Sequence, residues 1–220
     1  RDSPVAISLR SIVWTGARFV AAGEGGIFIT STDAITWSPV FSSNTSDWFG
    51  LASNGSLLVA VGSKGAISTS SSGLVWTPVT SGTTRTLRSV AHNGTTWVAV
   101  GEAGTVLTSL DGASWQAVSS PASSRLYHIM WDGGQFFALG DDGLAIISTD
   151  GQTWSTQALV PAVSFASAAV AAGMIIAVGE HGIITSAPVA AGPWVERSSG
   201  ARESVHDSVW TGTQFVAVGT

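Results

Sequence analysis

Hydrophobic and polar positions alternate along this chain in short runs of four to six residues, and the runs are separated by glycine-rich and polar clusters. That is the pattern of half-buried or buried β-strands joined by tight turns. Leu87 to Val118, LRSVAHNGTTWVAVGEAGTVLTSLDGASWQAV, shows the unit most clearly. Its Gly101 recurs as Gly23, Gly62, Gly140 and Gly179 at a spacing of 39 residues, and once more as Gly219 at a spacing of 40. Its Trp115 recurs as Trp37, Trp76, Trp154 and Trp194. Self-similarity at about 40 to 50 residues, with several strands per copy, marks a propeller blade or a related array.

In the first copy the pattern predicts four strands: A over 9–14, B over 18–22, C over 27–31 and D over 37–41. Asn54-Gly55, Asn93-Gly94 and Asp132-Gly133 stand at the A–B turns, where such pairs take up the positive φ of hairpin loops at little cost. The sheets are therefore expected to be antiparallel meanders. Strand B is apolar on both faces, as in Val98 to Val100 and Phe136 to Leu139, which a strand sandwiched between two neighbouring sheets requires. No window carries a sustained helical period.

These features predict an all-β fold: a β-propeller of four-stranded antiparallel blades over residues 1–220, with repeats at 9–47, 48–86, 87–125, 126–164, 165–204 and a partial one at 205–220. About five and a half repeats leave two arrangements open, a five-bladed ring or part of a ring of six to seven blades. The second is favoured, because a lone A–B pair leaves an open β edge. If the chain were complete, open edges would favour self-association.

Composition narrows the partners. With a net charge of −5 and a single lysine, Lys64, nothing resembles the basic patch a nucleic-acid partner needs. No apolar run reaches the roughly 18 residues of a membrane helix. Zero cysteines remove disulfides and thiol chemistry from consideration. The four histidines fall in different repeats, so neither a metal site nor a cofactor is expected.

Two sets of equivalent positions are candidates for ligand binding. The B–C turns place Glu24, Glu102, Asp141 and Glu180 at one position, and a circle of carboxylates would attract a cation, an amine or a basic partner. Solvated hairpin tips are the plainer alternative. The second set, at the start of strand A, reads Arg10, Phe49, Arg88, Tyr127, Ala166 and His206, followed by Ser11, Gly50, Ser89, His128, Ser167 and Asp207. The first of these columns varies where the packing columns do not, which suits an asymmetric site for a carbohydrate or a peptide. Trp48, beside a D–A linker, is a candidate sugar-stacking platform, whereas Trp14, Trp131 and Trp210 form a column expected in the core.

The C–D turns Ser109-Leu110-Asp111-Gly112-Ala113-Ser114-Trp115 and Ser148-Thr149-Asp150-Gly151-Gln152-Thr153-Trp154 resemble the Asp box of BNR-like, sialidase-like propellers, shortened by one residue. Ser31, Asp33 and Trp37, and Ser70 and Trp76, belong to weaker versions. The resemblance implies that the Asp carboxylates hold the turn and the Trp rings pack between blades, on the face away from ligands. It also implies an extracellular or periplasmic setting. Sialidases of this class use an arginine triad, a Tyr–Glu nucleophile pair and an Arg-Ile-Pro motif. This chain has no Arg-Ile-Pro, and Tyr127 is its one tyrosine. The expected role is therefore a non-enzymatic recognition or scaffold propeller for a glycan, peptide or protein, on the face of the D–A and B–C loops. A sialidase-like glycoside hydrolase and a complex-assembly factor like the photosystem II assembly propellers are the alternatives.

Overall fold

A computed structural model describes residues 3–159, 161–189 and 193–220. It is built from meander sheets in which every pairing is between consecutive strands and antiparallel. The chain divides into two compact units, 1–118 and 119–220.

The first unit holds three four-stranded sheets: β1 (Leu9–Trp14) to β4 (Ser38–Phe41) by way of β2 (Phe19–Gly23) and β3 (Ile27–Ser31); β5 (Trp48–Ser53), β6 (Leu58–Gly62), β7 (Ile67–Ser70) and β8 (Thr77–Val79); and β9 (Leu87–His92), β10 (Trp97–Gly101), β11 (Val106–Ser109) and β12 (Gln116–Val118). The second unit holds β13 (Leu126–Trp131), β14 (Phe136–Gly140), β15 (Leu144–Ser148) and β16 (Ser155–Ala158), then β17 (Phe165–Ala171), β18 (Met174–Gly179), β19 (Ile184–Pro188) and β20 (Val195–Arg197), and a two-stranded sheet of β21 (Val205–Trp210) and β22 (Phe215–Gly219). Among the described residues the only helical turns are five three-residue 3₁₀ segments, one at each B–C connection, such as Glu102–Gly104.

Strand β6 shows why each second strand is apolar throughout. Leu58 and Ala60 join Val20, Ala22 and Phe28 of the first sheet, while Val59 and Val61 point the other way and join Leu87, Trp97 and Ala99 of the third. Side chains alternate across a strand, so a sheet packed on both sides needs apolar residues at consecutive positions. In the second unit Phe137, Leu139 and Ala145 meet Phe165, Ala168 and Ala177 in the same manner.

Trp76 lies between sheets as expected, stacked on Phe28 with centroids 3.9 Å apart and planes 5° apart. Two other tryptophans depart from expectation. Trp48 is fully buried, against Phe28 at 5.4 Å, and so is no stacking platform. It opens strand A in the column of Leu87, Leu126 and Phe165, all of them buried. Trp14 is 48% exposed instead of sitting in the core. Its partner is the hairpin neighbour Phe19, at 4.6 Å. His92 with Trp97, Trp131 with Phe136 and Trp210 with Phe215 repeat this cross-strand pair beside the A–B turn.

The C–D turns are held as their sequence suggests. Asp111 accepts the Ala113 and Ser114 backbone N–H groups at 2.8 and 2.7 Å and the Ser109 hydroxyl at 3.0 Å. Ser109 Oγ in turn accepts the Gly112 N–H, and Trp115 Nε1 donates to the Gly112 carbonyl at 2.9 Å. Asp150 and Trp154 repeat this arrangement, and Asp33 repeats the carboxylate part of it. The backbone donors lower all three carboxyl pKa values to about 2. Glycine directly after the Asp supplies the positive φ of the shortened turn, 74° at Gly112 and 76° at Gly151.

Candidate functional site

Each first strand carries a β-bulge one residue from its start. The register pairs Leu9 with Gly23 and then Ser11 with Ala22, passing over Arg10. The same shift passes over Phe49, Arg88, Tyr127, Ala166 and His206. The variable column of the sequence is therefore the bulge column. A bulge frees one residue from the ladder and re-aims its side chain, which explains why this position varies while its neighbours keep the packing pattern.

The bulge also brings two candidate columns together. The backbone N–H at the acidic turn position bonds the carbonyl just before strand A in the same blade, as Glu24 does with Ser8 at 3.2 Å and Glu102 with Thr86 at 3.0 Å. The turn carboxylate consequently lies beside the bulge side chain. Arg10 Nη2 donates to Glu24 Oε1 at 2.7 Å, and Arg88 Nη2 to Glu102 Oε1 at 3.0 Å. Glu24 and Glu102 of the acidic turn column are thus each paired with an arginine of their own blade.

Phe49 completes the arrangement in the first unit. The Arg10 and Arg88 guanidinium carbons lie 5.3 and 5.4 Å from the centre of its ring, within cation–π range. Glu24, Arg10, Phe49, Arg88 and Glu102 thus form one row along three consecutive blades. Exposed ion pairs contribute about 0–1 kcal/mol and exposed cation–π contacts about 0.5–1 kcal/mol. The row consequently adds little to stability; it orients two guanidinium groups beside an aromatic face.

The second unit varies the theme. Arg125 donates to the Tyr127 hydroxyl at 2.9 Å and lies 5.4 Å from its ring centre, while its backbone N–H bonds Asp141 at 3.1 Å. Burial, followed by a hydrogen bond with Asp141, raises the Tyr127 pKa above the ordinary 10.0, against a lowering by Arg125. In the fifth copy the bulge residue is Ala166, which has no group to offer the exposed Glu180. His206 is exposed at its bulge. Sequence reasoning missed Arg125; its signal was a charged residue two positions before the bulge, where most copies carry Ser or Thr.

The column after the bulge serves a different purpose. The Leu51 N–H donates to Ser11 Oγ at 3.1 Å, and Ser167 Oγ donates to Asp207 at 2.8 Å, each bond reaching from one blade to the next. A Cβ on Gly50 would press on the Ser89 backbone at 2.9 Å. His128 lies in this seam, bonded to the Ala168 backbone, with Nε2 buried and unpartnered. Desolvation lowers its pKa below 6.5, although Asp207 and the Ala168 bond act in the opposite direction. One step past the bulge, the His128 side chain turns toward the neighbouring blade.

Among the described residues, no three His, Cys, Asp or Glu side chains converge as a metal ion would need, and no helix is long and apolar enough to cross a membrane.

The family model of the DUF6242 beta propeller domain matches residues 74–207, well over half of the chain. The chain belongs to the DUF6242 beta propeller family. No curated protein sequence matches it. Solved structures similar to this DUF6242 propeller include the WD40 beta propeller domain of Doa1, with a TM-score of 0.82 at 12% identity over 98% of this chain and 77% of that one. The computationally designed Ika8 protein gives 0.78 at 10% identity over 96% and 68%. A chain of the Nidogen/Laminin complex gives 0.72 at 11% over 92% and 85%. At such identities the likeness is one of fold.

Proposed function

We propose that this DUF6242 propeller is a non-enzymatic recognition module that docks an acidic segment of a protein partner on the Arg10–Phe49–Arg88 row. The observation that carries this reading is the bulge column itself, in which a constant frame re-aims a different side chain in each blade. The Arg10 guanidinium has five N–H donors, one of which meets Glu24, and such a fork suits a carboxylate. The flat ring of Phe49 offers area without rotamer cost. One structural neighbour comes from a complex of two proteins, nidogen and laminin, which is in keeping with such a role.

The turn geometry around Asp33, Asp111 and Asp150 supports placing the chain among Asp-box propellers, with these residues in a folding role. Glycoside hydrolysis is the competing reading. It is disfavoured because burial makes the Tyr127 hydroxyl harder to ionise than a free phenol.

The test is selection of peptides from a random display library on the purified chain. Bound peptides enriched in Asp and Glu, and lost when Phe49→Ala is combined with Arg88→Ala, are the expected result. Selected peptides indifferent to both changes would overturn the docking site. Turnover of a sialoside or aryl glycoside, abolished by Tyr127→Phe, would overturn the non-enzymatic reading.

A further inference from the structure

The A–B turns of the second and third sheets are built alike and differ at one place. Asn93 Oδ1 accepts the Thr95 and Thr96 backbone N–H groups at 3.0 and 2.7 Å and the Thr95 hydroxyl at 3.0 Å. Asn54 Oδ1 accepts the matching groups of Ser56 and Leu57 at 3.0, 2.8 and 3.0 Å. Each asparagine precedes a glycine of positive φ, 103° at Gly94 and 92° at Gly55, where an added Cβ would meet nothing within 4 Å. The difference lies in what receives the glycine N–H. Gly55 donates to the Ser53 hydroxyl at 3.1 Å, whereas Gly94 donates to His92 Nδ1 at 3.0 Å. The imidazole packs on Trp97, with ring centroids 4.4 Å apart. Burial lowers its pKa below 6.5, so the ring is neutral at pH 7 and offers its Nδ1 lone pair to the Gly94 N–H.

An asparagine followed by glycine carries both partners of an intramolecular reaction, the side-chain amide carbon and the next backbone nitrogen, with no side chain on the glycine to obstruct their approach. We propose that Asn93-Gly94 is a self-modification site, at which the folded turn promotes loss of ammonia from Asn93 with His92 as general base. The Gly94 nitrogen attacks Asn93 Cγ and gives its proton to His92 Nδ1. The Cγ–Nδ2 bond then breaks, a five-membered succinimide remains, and the proton leaves on the departing ammonia. Water opens the ring to an aspartyl or an isoaspartyl residue. His92 lies within hydrogen-bond reach of the proton it takes, as a general base must. Negative charge develops on Asn93 Oδ1 during the attack, where two backbone N–H groups and a hydroxyl already stand at hydrogen-bond distance, as in an oxyanion hole.

The fourth sheet shows that the aspartyl product fits the turn. Asp132 stands at the same position and accepts the Gly134 and Gln135 N–H groups at 2.8 and 2.7 Å. Conversion thus gives the third blade the anionic turn that the fourth carries from the start. None of these residues belongs to the docking row, so this chemistry stands apart from it.

The experiment incubates the purified chain at neutral pH and follows residues 54 and 93 by peptide mapping with mass spectrometry. Asn93 is expected to convert about tenfold or more faster than Asn54. Its product is expected to be a mixture of aspartyl and isoaspartyl forms, the signature of the succinimide. In urea, where neither turn exists, the two rates are expected to converge. His92→Ser copies the second sheet and is expected to bring Asn93 to the Asn54 rate. Ser53→His copies the third and is expected to raise the Asn54 rate, so two variants of opposite direction test the same base, each checked for folding by circular dichroism. Equal rates in the folded chain, a difference that persists in urea, aspartyl product without isoaspartyl, or rates indifferent to both exchanges would overturn the proposal.

Discussion

At the residue scale, the C–D turns tie local chemistry to stability. Asp33, Asp111 and Asp150 have folded pKa values of about 2 against a reference of 3.8. A depressed folded pKa contributes stability that is present above the unfolded value and is lost as pH falls through the folded one. The melting temperature is therefore expected to hold near neutral pH and to fall between about pH 4 and pH 2. Changing all three to Asn removes these charges; the variant is expected to melt lower at pH 7 and to show a shallower acid decline by circular dichroism. Ala34 supplies a second case. It occupies the place of Gly112 and Gly151 with φ of 56°, where an L-residue costs about 1–2 kcal/mol. Ala34→Gly is expected to stabilise by about 1 kcal/mol in urea denaturation, and an unchanged midpoint would contradict the strain.

At the scale of the element, the bulged first strand separates what holds the blade from what it displays. Gly101 approaches the Thr86 carbonyl so closely that any Cβ collides with it, and Gly23, Gly62 and Gly179 meet the equivalent carbonyls in their own blades. This is a matter of space, since the Gly101 φ of −172° is open to any residue. Gly101→Ala is expected to cost about 3 kcal/mol or more. Arg10→Ala, at the neighbouring bulge position, is expected to change stability by less than about 1 kcal/mol. Chemical denaturation of the two variants side by side checks both, and comparable losses would show that the bulge residue is structural.

In the molecule as a whole, the most deeply buried elements are the second strands β6, β10 and β14. Hydrogen exchange is expected to be slowest in β6, β10 and β14, whose residues are all buried, and fast in β8, β12 and β20, which lie at sheet edges with exposed side chains. Faster exchange in β10 than in β12 would contradict this order of packing.

Much of this architecture was legible along the chain because its causes are local. Alternation marked the strands, Asn-Gly and Asp-Gly marked the hairpins, and the spacing of Gly101 and its copies marked the blades. The carboxylate of Asp111 finds its backbone donors within three residues, so its role could be read from the turn itself. The bulge column, too, announced itself as variation against a constant background. Trp48, His128 and the paired Glu24 could not be placed in this way. Whether an aromatic residue beside a linker faces water or a neighbouring sheet depends on which surface packs against it, and Phe28 is 20 positions away. The Arg10–Glu24 pair depends on a register shift that hydrophobic pattern does not encode. The sequence by itself determined the repeat, the strands and the turns, through short-range backbone preference and side-chain alternation. Only the tertiary structure decided which side chains are buried and which charges neutralise one another, because these follow from contacts between segments 14 to 40 residues apart.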